Sequence, residues 1–369
     1  MKILSLTTHL NVGGISSYLS MTGSRLVRMG HEVFVVSGGG DFEENLTKKG
    51  IRCVDFAIRT KNEFHPKVFM ALPKLIRLVK KEKFDLIHAH TRVTQVLGSL
   101  VSKFTKVPLM TTAHGFFRPR LSRKLFRCWG ERVIAISPLV AEDLEKSHKV
   151  ERSRIRIVQN AIDIEDFEER LAQKDPGALR QALGIPQGVT VIGSISRLVK
   201  DKGHEYLIQA VKDLHKKKMK AHLLIVGDGR EKKNLMTLIK KSGLEGQALL
   251  VEAQQDVTSF LSLIDIFAHP ATYREGFGLV LVEAMAARKP VVATNILAIN
   301  TVIRNRVNGF LVEPKSGKEL AEAIEFIIAN PKITASIVEN AYQSATELYS
   351  IDRMVNELET VYEETITKV

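Results

Sequence analysis

The chain has 369 residues, 44% of them hydrophobic and 26% charged, which excludes a disordered, collagenous or coiled-coil architecture and leaves room for two domains. Only two cysteines occur, Cys53 and Cys128, so a disulfide scaffold and a four-thiolate zinc site are excluded and a reducing cytoplasm is expected. The net charge of +13 is one-sided: residues 1–150 carry 25 Lys and Arg against 12 Asp and Glu, while residues 151–369 carry 29 of each, so the first half alone predicts an anionic partner.

From the start, Met1 to His9 turns polar too early for a secretory leader, and no apolar run reaches the ~20 residues of a membrane span. The first strand is predicted over Lys2–Thr7. Asn11-Val12-Gly13-Gly14-Ile15-Ser16-Ser17 then opens a helix. Adjacent glycines let backbone approach a ligand, and a helix start offers free N–H groups to an anion, although a ligand-free turn has the same look. The third glycine of a dinucleotide fingerprint is missing, which argues against a dehydrogenase.

A second strand is predicted at Glu32–Val36. Pro66 to Phe84 has Val68, Phe69, Leu72, Leu75, Ile76 and Val79 at helical spacing among six cations, the pattern of a surface helix packed inward. Strands follow at Leu86–His90 and Leu109–Ala113, the latter ending Thr111-Thr112-Ala113-His114-Gly115, so that His114 is expected to face a ligand cleft. In Phe116 to Trp129, Arg118, Arg120, Arg123, Lys124 and Arg127 are interleaved with Phe117, Leu121, Leu125, Phe126 and Trp129. Leu121, Leu125 and Trp129 recur every four residues. This predicts an amphipathic helix on an anionic membrane, anchored by Phe126 and Trp129, with each cation near the surface adding ~1 kcal/mol. No nucleic-acid-binding motif accompanies the charge, and nucleic acid is not expected as a partner. Val133–Ile136 and Arg156–Val158 complete this series.

Residues 158–163 mark the join. The expected domains are 1–165 and 166–349, with a C-terminal helix at about 350–369 returning to the first. Second-half strands are predicted at Val189–Ile195, His222–Val226, Ala248–Val251, Ile266–Ala268, Val291–Ala293 and Phe310–Val312, with two or three helices after Asn330. Strand alternating with helix predicts an α/β protein of two doubly wound, Rossmann-like parallel sheets, with ligands bound at the carboxyl ends of the strands.

Two motifs in the second half carry chemistry. Gly193-Ser194-Ile195-Ser196-Arg197-Leu198-Val199-Lys200-Asp201-Lys202-Gly203 joins a strand to a helix predicted from Glu205 to about Lys217. It places Arg197 and Lys202 at a helix start as a diphosphate clamp. Arg274-Glu275-Gly276-Phe277-Gly278 precedes an apolar helix from about Leu279 that contains Glu283. A carboxylate in so apolar a helix is costly unless it accepts hydrogen bonds, and sugar hydroxyls are natural donors.

Together these residues resemble the retaining family 4 glycosyltransferases of GT-B fold. The resemblance rests on Glu275 and Glu283 inside EGFGLVLVEAMA, on SRLVKDKG around Arg197 and Lys202, on Gly13-Gly14, on TTAHG at His114 and on VQNAID at the join. It implies two domains facing each other across a cleft and a nucleoside-diphosphate sugar on the second. Arg197 and Lys202 would hold the diphosphate, Glu283 the ribose, and Glu275 with the backbone of Gly276, Phe277 and Gly278 the transferred sugar. His114 would face that sugar, and Gly13 and Gly14 would leave room for phosphates and acceptor. The resemblance implies transfer with retained configuration and without metal or other cofactor, and the basic, aromatic-bearing segment directly after His114 favours a lipid-linked or cell-surface polysaccharide acceptor at the cytoplasmic membrane face. The family's Gly-Gly turn and Pro-Glu pair are replaced here by Leu297-Ala298 and Asn300-Thr301. A nucleotide-sugar 2-epimerase of the same fold and a non-catalytic nucleotide-sugar or membrane-binding subunit are the alternatives. A retaining hydrolase is disfavoured, because its two carboxylates must flank one bond.

Overall fold

The computed structural model describes residues 1–11, 13–117, 121–254, 256–273 and 275–367. They form two compact units, one of Met1–Asn160 with Ile351–Val369 and one of Ala161–Ser350.

The first unit is built on a seven-stranded parallel sheet: β1 (Lys2–Leu6), β2 (Glu32–Ser37), β3 (Arg52–Asp55), β4 (Leu86–Ala89), β5 (Leu109–Ala113), β6 (Arg132–Ala135) and β7 (Ile155–Ile157), in the order β3-β2-β1-β4-β5-β6-β7. Every residue of β4, β5 and β6 is buried, as a sheet covered by helices on both faces requires. Leu4 of β1 pairs with Phe34 on one side and Ile87 on the other. Around them Leu6, Val36, Val93 and Leu97 join the helix Pro66–Glu82, which buries Val68, Ala71, Leu75 and Val79. Phe69 of that helix, expected on the inward stripe, is instead 46% exposed. The closing helix Ile351–Ile366 packs on this unit through the His31–Glu359 and Arg132–Glu364 ion pairs.

The second unit holds a six-stranded parallel sheet: β8 (Thr190–Ile195), β9 (Ala221–Val226), β10 (Ala248–Val251), β11 (Ile266–His269), β12 (Val291–Thr294) and β13 (Phe310–Val312), in the order β10-β9-β8-β11-β12-β13. Ile192, Leu223, Ile225, Ala268 and Val292 meet Leu207, Val211 and Leu214 of the helix His204–Lys216 in one core. Strand order reverses between β1 and β4 in the first sheet and between β8 and β11 in the second. At such switch points the flanking loops diverge to opposite faces and leave a crevice beyond the strand ends. Among the described residues, no helix is long and apolar enough to cross a membrane.

The segment predicted as one amphipathic helix is shorter and turned differently. Among its described residues only Leu121–Leu125 is helical. Cys128 and Gly130 both take positive φ, and a Cβ on Gly130 would stand 2.2 Å from the Leu109 carbonyl oxygen. The chain is thereby pinned against β5, where Thr111 Oγ1 donates to the Trp129 carbonyl. Trp129 is 3% exposed, and Arg123 is also buried, its guanidinium over the Phe117 and Trp129 rings. Trp129 and Arg123 are therefore interior residues and not membrane anchors. Leu121, Leu125, Phe126, Lys124 and Arg127 remain exposed. Arg118 and Arg120 lie outside the described residues.

Candidate active site

In the second unit, the residues singled out by sequence meet at the carboxyl ends of β8 and β11, the switch point of the sheet. The loop after β8 carries Arg197, exposed, and a single turn of tight helix, Lys200–Lys202. Gly203 ends that turn at φ +64, a left-handed conformation glycine adopts without cost. A Cβ there would stand 2.0 Å from the Pro270 carbonyl oxygen, so glycine lets the two loops touch. Thr272 N donates to the Asp201 carbonyl at 2.8 Å across the same seam.

This seam delivers Lys202 to Glu275. Their side chains are in direct contact, each 15% exposed. Burial, reinforced by the charge of Arg197 and opposed by that of Asp201, pushes the Lys202 amine down to about 8. His269, the last residue of β11, lies beneath the pair with Nε2 3.3 Å from Glu275 Oε1. Burial holds its ring well below the ordinary histidine range, with the Lys202 and His204 charges acting in the same direction, so it is neutral.

Gly278, at φ +87, caps the apolar helix Leu279–Ala286 without a side-chain partner. The first N–H groups of that helix stay available, beside the backbone of Gly276 and Phe277. The Phe277 side chain does not reach outward: it is 3% exposed and packs edge-on against Tyr349, 5.5 Å between centroids. Glu283, half-buried one turn along, has no hydrogen-bond partner among the described residues. Burial pushes its carboxyl up to about 7; Arg170 opposes that rise and Asp256 adds to it. An ionised Glu283 is thus poised to gain from any hydroxyl donor.

Gly227 and Gly229 serve this loop as well. Added Cβ atoms would stand 1.9 Å from the Ser196 carbonyl oxygen and 2.2 Å from that of Leu198. They make room for the Arg197 loop. Beyond β12, Ala298 keeps φ +75 at a fully buried position, although it carries a Cβ. The chain retains a glycine-type turn there without the glycine.

In the first unit, Gly13 and Gly14 lie between β1 and the helix Gly14–Arg28, again beside the switch point. Gly13 is extended at φ +163, outside the left-handed region, and a Cβ on Gly14 would meet nothing within 4 Å. No packing inside the unit demands glycine, so the small residues leave space outside it. His114 follows β5, with Nε2 3.0 Å from Nδ1 of His90, which follows β4. Burial pushes His114 down to about 4. His90 escaped the sequence reading, although a histidine directly after each of two neighbouring strands was a visible signal. His269 escaped it too, since a lone histidine in an apolar strand reads as core.

What the two sets of groups can do follows from their chemistry. Two cations and a free helix start suit a diphosphate; two carboxylates suit hydroxyls. Among the described residues no cluster of three or more His, Cys, Asp or Glu is arranged to hold a metal ion.

Comparison with known proteins agrees with this division. Residues 177–344 match the family model described as "Glycosyl transferases group 1", and residues 12–166 match "Glycosyltransferase Family 4". The chain is 25% identical to N-acetyl-alpha-D-glucosaminyl L-malate synthase of Bacillus anthracis, over 97% of this chain and 96% of that one. It is 26% identical to UDP-Gal:alpha-D-GlcNAc-diphosphoundecaprenol alpha-1,3-galactosyltransferase of Escherichia coli, over 79% and 78%. A crystal structure of Anabaena Alr3699/HepE in complex with UDP superposes with a TM-score of 0.83 at 26% identity, covering 99% of this chain and 100% of that one.

Proposed function

We infer the function from one premise: the chain belongs to the family 4 glycosyltransferases, two-domain enzymes of GT-B fold. It is a glycosyltransferase that uses a nucleotide sugar. The finer reading is that it retains anomeric configuration, needs no metal, and serves a lipid-linked or polysaccharide-precursor acceptor.

The observation that carries this reading is the Lys202–Glu275 contact at the β8/β11 switch point, with Arg197 on the same loop and Glu283 unpartnered nearby. Lys202 and Arg197 hold the donor diphosphate, and Glu283 accepts from the ribose hydroxyls. Glu275 and the backbone at Gly276, Phe277 and Gly278 hold the transferred sugar and its phosphate. In the first unit, His114, Gly13 and Gly14 lie at that sheet's switch point, and family membership supports their serving the sugar and acceptor. The bond from the anomeric carbon to the phosphate oxygen breaks, and a bond to the acceptor hydroxyl oxygen forms on the same face. The hydroxyl proton passes to the departing phosphate oxygen, leaving nucleoside diphosphate and glycoside. Charge grows on that oxygen, where the two side-chain cations and the free start of the helix Leu279–Ala286 stabilise it. These cations support a reaction without a metal ion.

The UDP complex of the Anabaena relative supports a UDP-sugar donor. The E. coli relative, named for a diphosphoundecaprenol substrate, supports a lipid-linked acceptor. Exposed Leu121, Leu125 and Phe126, beside Phe64 at 5.4 Å and the cations Lys124 and Arg127, support contact with an anionic membrane. Free Cys53 and Cys128 suit the cytoplasmic face. The test is NMR of the intact protein with UDP- and GDP-sugars and an acceptor panel. Release of nucleoside diphosphate with a product of unchanged anomeric configuration is expected. An inverted product, or a nucleotide sugar epimerised without acceptor, would overturn the reading.

A further inference from the structure

We propose that His90 is a positioning residue that fixes His114 as the Nδ1–H tautomer, so that the exposed nitrogen of His114 donates a hydrogen bond and does not accept one. The inference rests on the reading that His114 faces the transferred sugar, and it adds the polarity of that contact.

The two rings share one proton between His90 Nδ1 and His114 Nε2, 3.0 Å apart. Both are neutral, because burial drives His114 to about 4 and His90 well below its ordinary value. A neutral imidazole has one N–H and one bare nitrogen, so only two arrangements fit. If His114 Nε2 donates, His90 must carry its proton on Nε2. That atom is buried and has no hydrogen-bond partner among the described residues. A buried N–H without an acceptor is the costlier and rarer orphan. If His90 Nδ1 donates, its Nε2 is a bare nitrogen and the orphan N–H disappears. His114 Nε2 is then the acceptor, and its proton sits on Nδ1, which has no partner among the described residues and stays open on a half-buried residue.

The surroundings keep this pair neutral and fixed in place. His88 packs against His90 with ring centroids 4.1 Å apart and planes tilted by 40°. Its own nitrogens are both used, Nδ1 with the Tyr362 hydroxyl at 2.9 Å and Nε2 with Thr112 Oγ1 at 2.7 Å. Tyr18 meets the His114 ring edge-on, 4.8 Å between centroids. No carboxylate faces the two rings from these contacts. The outward N–H therefore suits a sugar or phosphate oxygen, and His114 is unfit to take a proton from the acceptor hydroxyl.

The experiment is long-range proton–nitrogen NMR of the full-length protein labelled with 15N-histidine, with the His114 signals assigned by loss in His114→Ala. The wild type is expected to show His114 protonated at Nδ1 and bare at Nε2. His90→Asn, whose amide N–H stands near the place of Nδ1–H, keeps that pattern. His90→Phe lets the tautomers mix and lowers kcat by about tenfold, the value of one misdirected hydrogen bond. A wild-type spectrum with His114 protonated at Nε2 overturns the proposal without recourse to any variant. Turnover surviving intact in His114→Ala would instead refute the site reading, with the tautomer assignment still judged by the spectrum.

Discussion

The Lys202 ammonium lies directly against the Glu275 carboxylate, tying the loop after β8 to the loop after β11. Neither group is stranded in its buried setting, yet both can be re-partnered. In the proposed function a donor diphosphate competes for Lys202, and a sugar hydroxyl then satisfies Glu275. Lys202→Ala leaves a carboxylate beside neutral His269 and removes a charge from the departing phosphate. Steady-state assays of Lys202→Ala and Glu275→Ala should show kcat/KM down by about 100-fold or more, roughly 3 kcal/mol of transition-state stabilisation, with unchanged circular dichroism.

Glu283 sets a pH dependence. Its carboxyl titrates at about 7, against an ordinary 4.5, because of burial. The folded chain therefore holds a proton that the unfolded chain releases between these values, and this group's contribution to stability declines as pH rises across that window. For ribose hydroxyls the ionised form is the better acceptor. Donor KM measured from pH 8 to 6 should rise about tenfold as the carboxylate fills with protons. Glu283→Gln should have a high KM throughout and lose that tenfold rise.

Ala298 holds a glycine's backbone conformation while buried. Strain of ~1–3 kcal/mol attends such a residue, and glycine returns part of the gain by loosening the unfolded chain. Chemical denaturation of Ala298→Gly should show the variant more stable by about 1 kcal/mol.

Leu125 and Phe126 should matter to membranes and Trp129 to folding. Leu125→Glu with Phe126→Glu should weaken sedimentation with anionic vesicles by at least about tenfold, at little cost in stability. Trp129→Ala should cost ~3–5 kcal/mol in denaturation, because it empties a packed site between Phe117, Arg123 and His148.

The fold was largely legible because buried parallel strands are short β-branched runs with helices between them. Of the thirteen strands among the described residues, twelve could be read in this way. Only β3 was missed: Arg52-Cys53-Val54-Asp55 is a half-exposed edge strand with a charge at each end, and it carries no apolar run. The loops carrying Arg197, Lys202 and Glu275 were legible because each follows a strand with glycines where the chains must touch. Trp129 was misread because a four-residue spacing cannot reveal that the helix stops at Leu125, nor that Gly130 locks onto β5. His90 acts through tertiary contact with His114, which local spacing does not encode.

Calorimetric titration of UDP and GDP into the wild-type protein, Arg197→Ala and Lys202→Ala tests the central claim most directly. One of the two nucleotides should bind the wild type with 1:1 stoichiometry. Each substitution should weaken it by roughly 10- to 100-fold, the value of a charge-assisted phosphate contact. Undiminished affinity in both variants would contradict it.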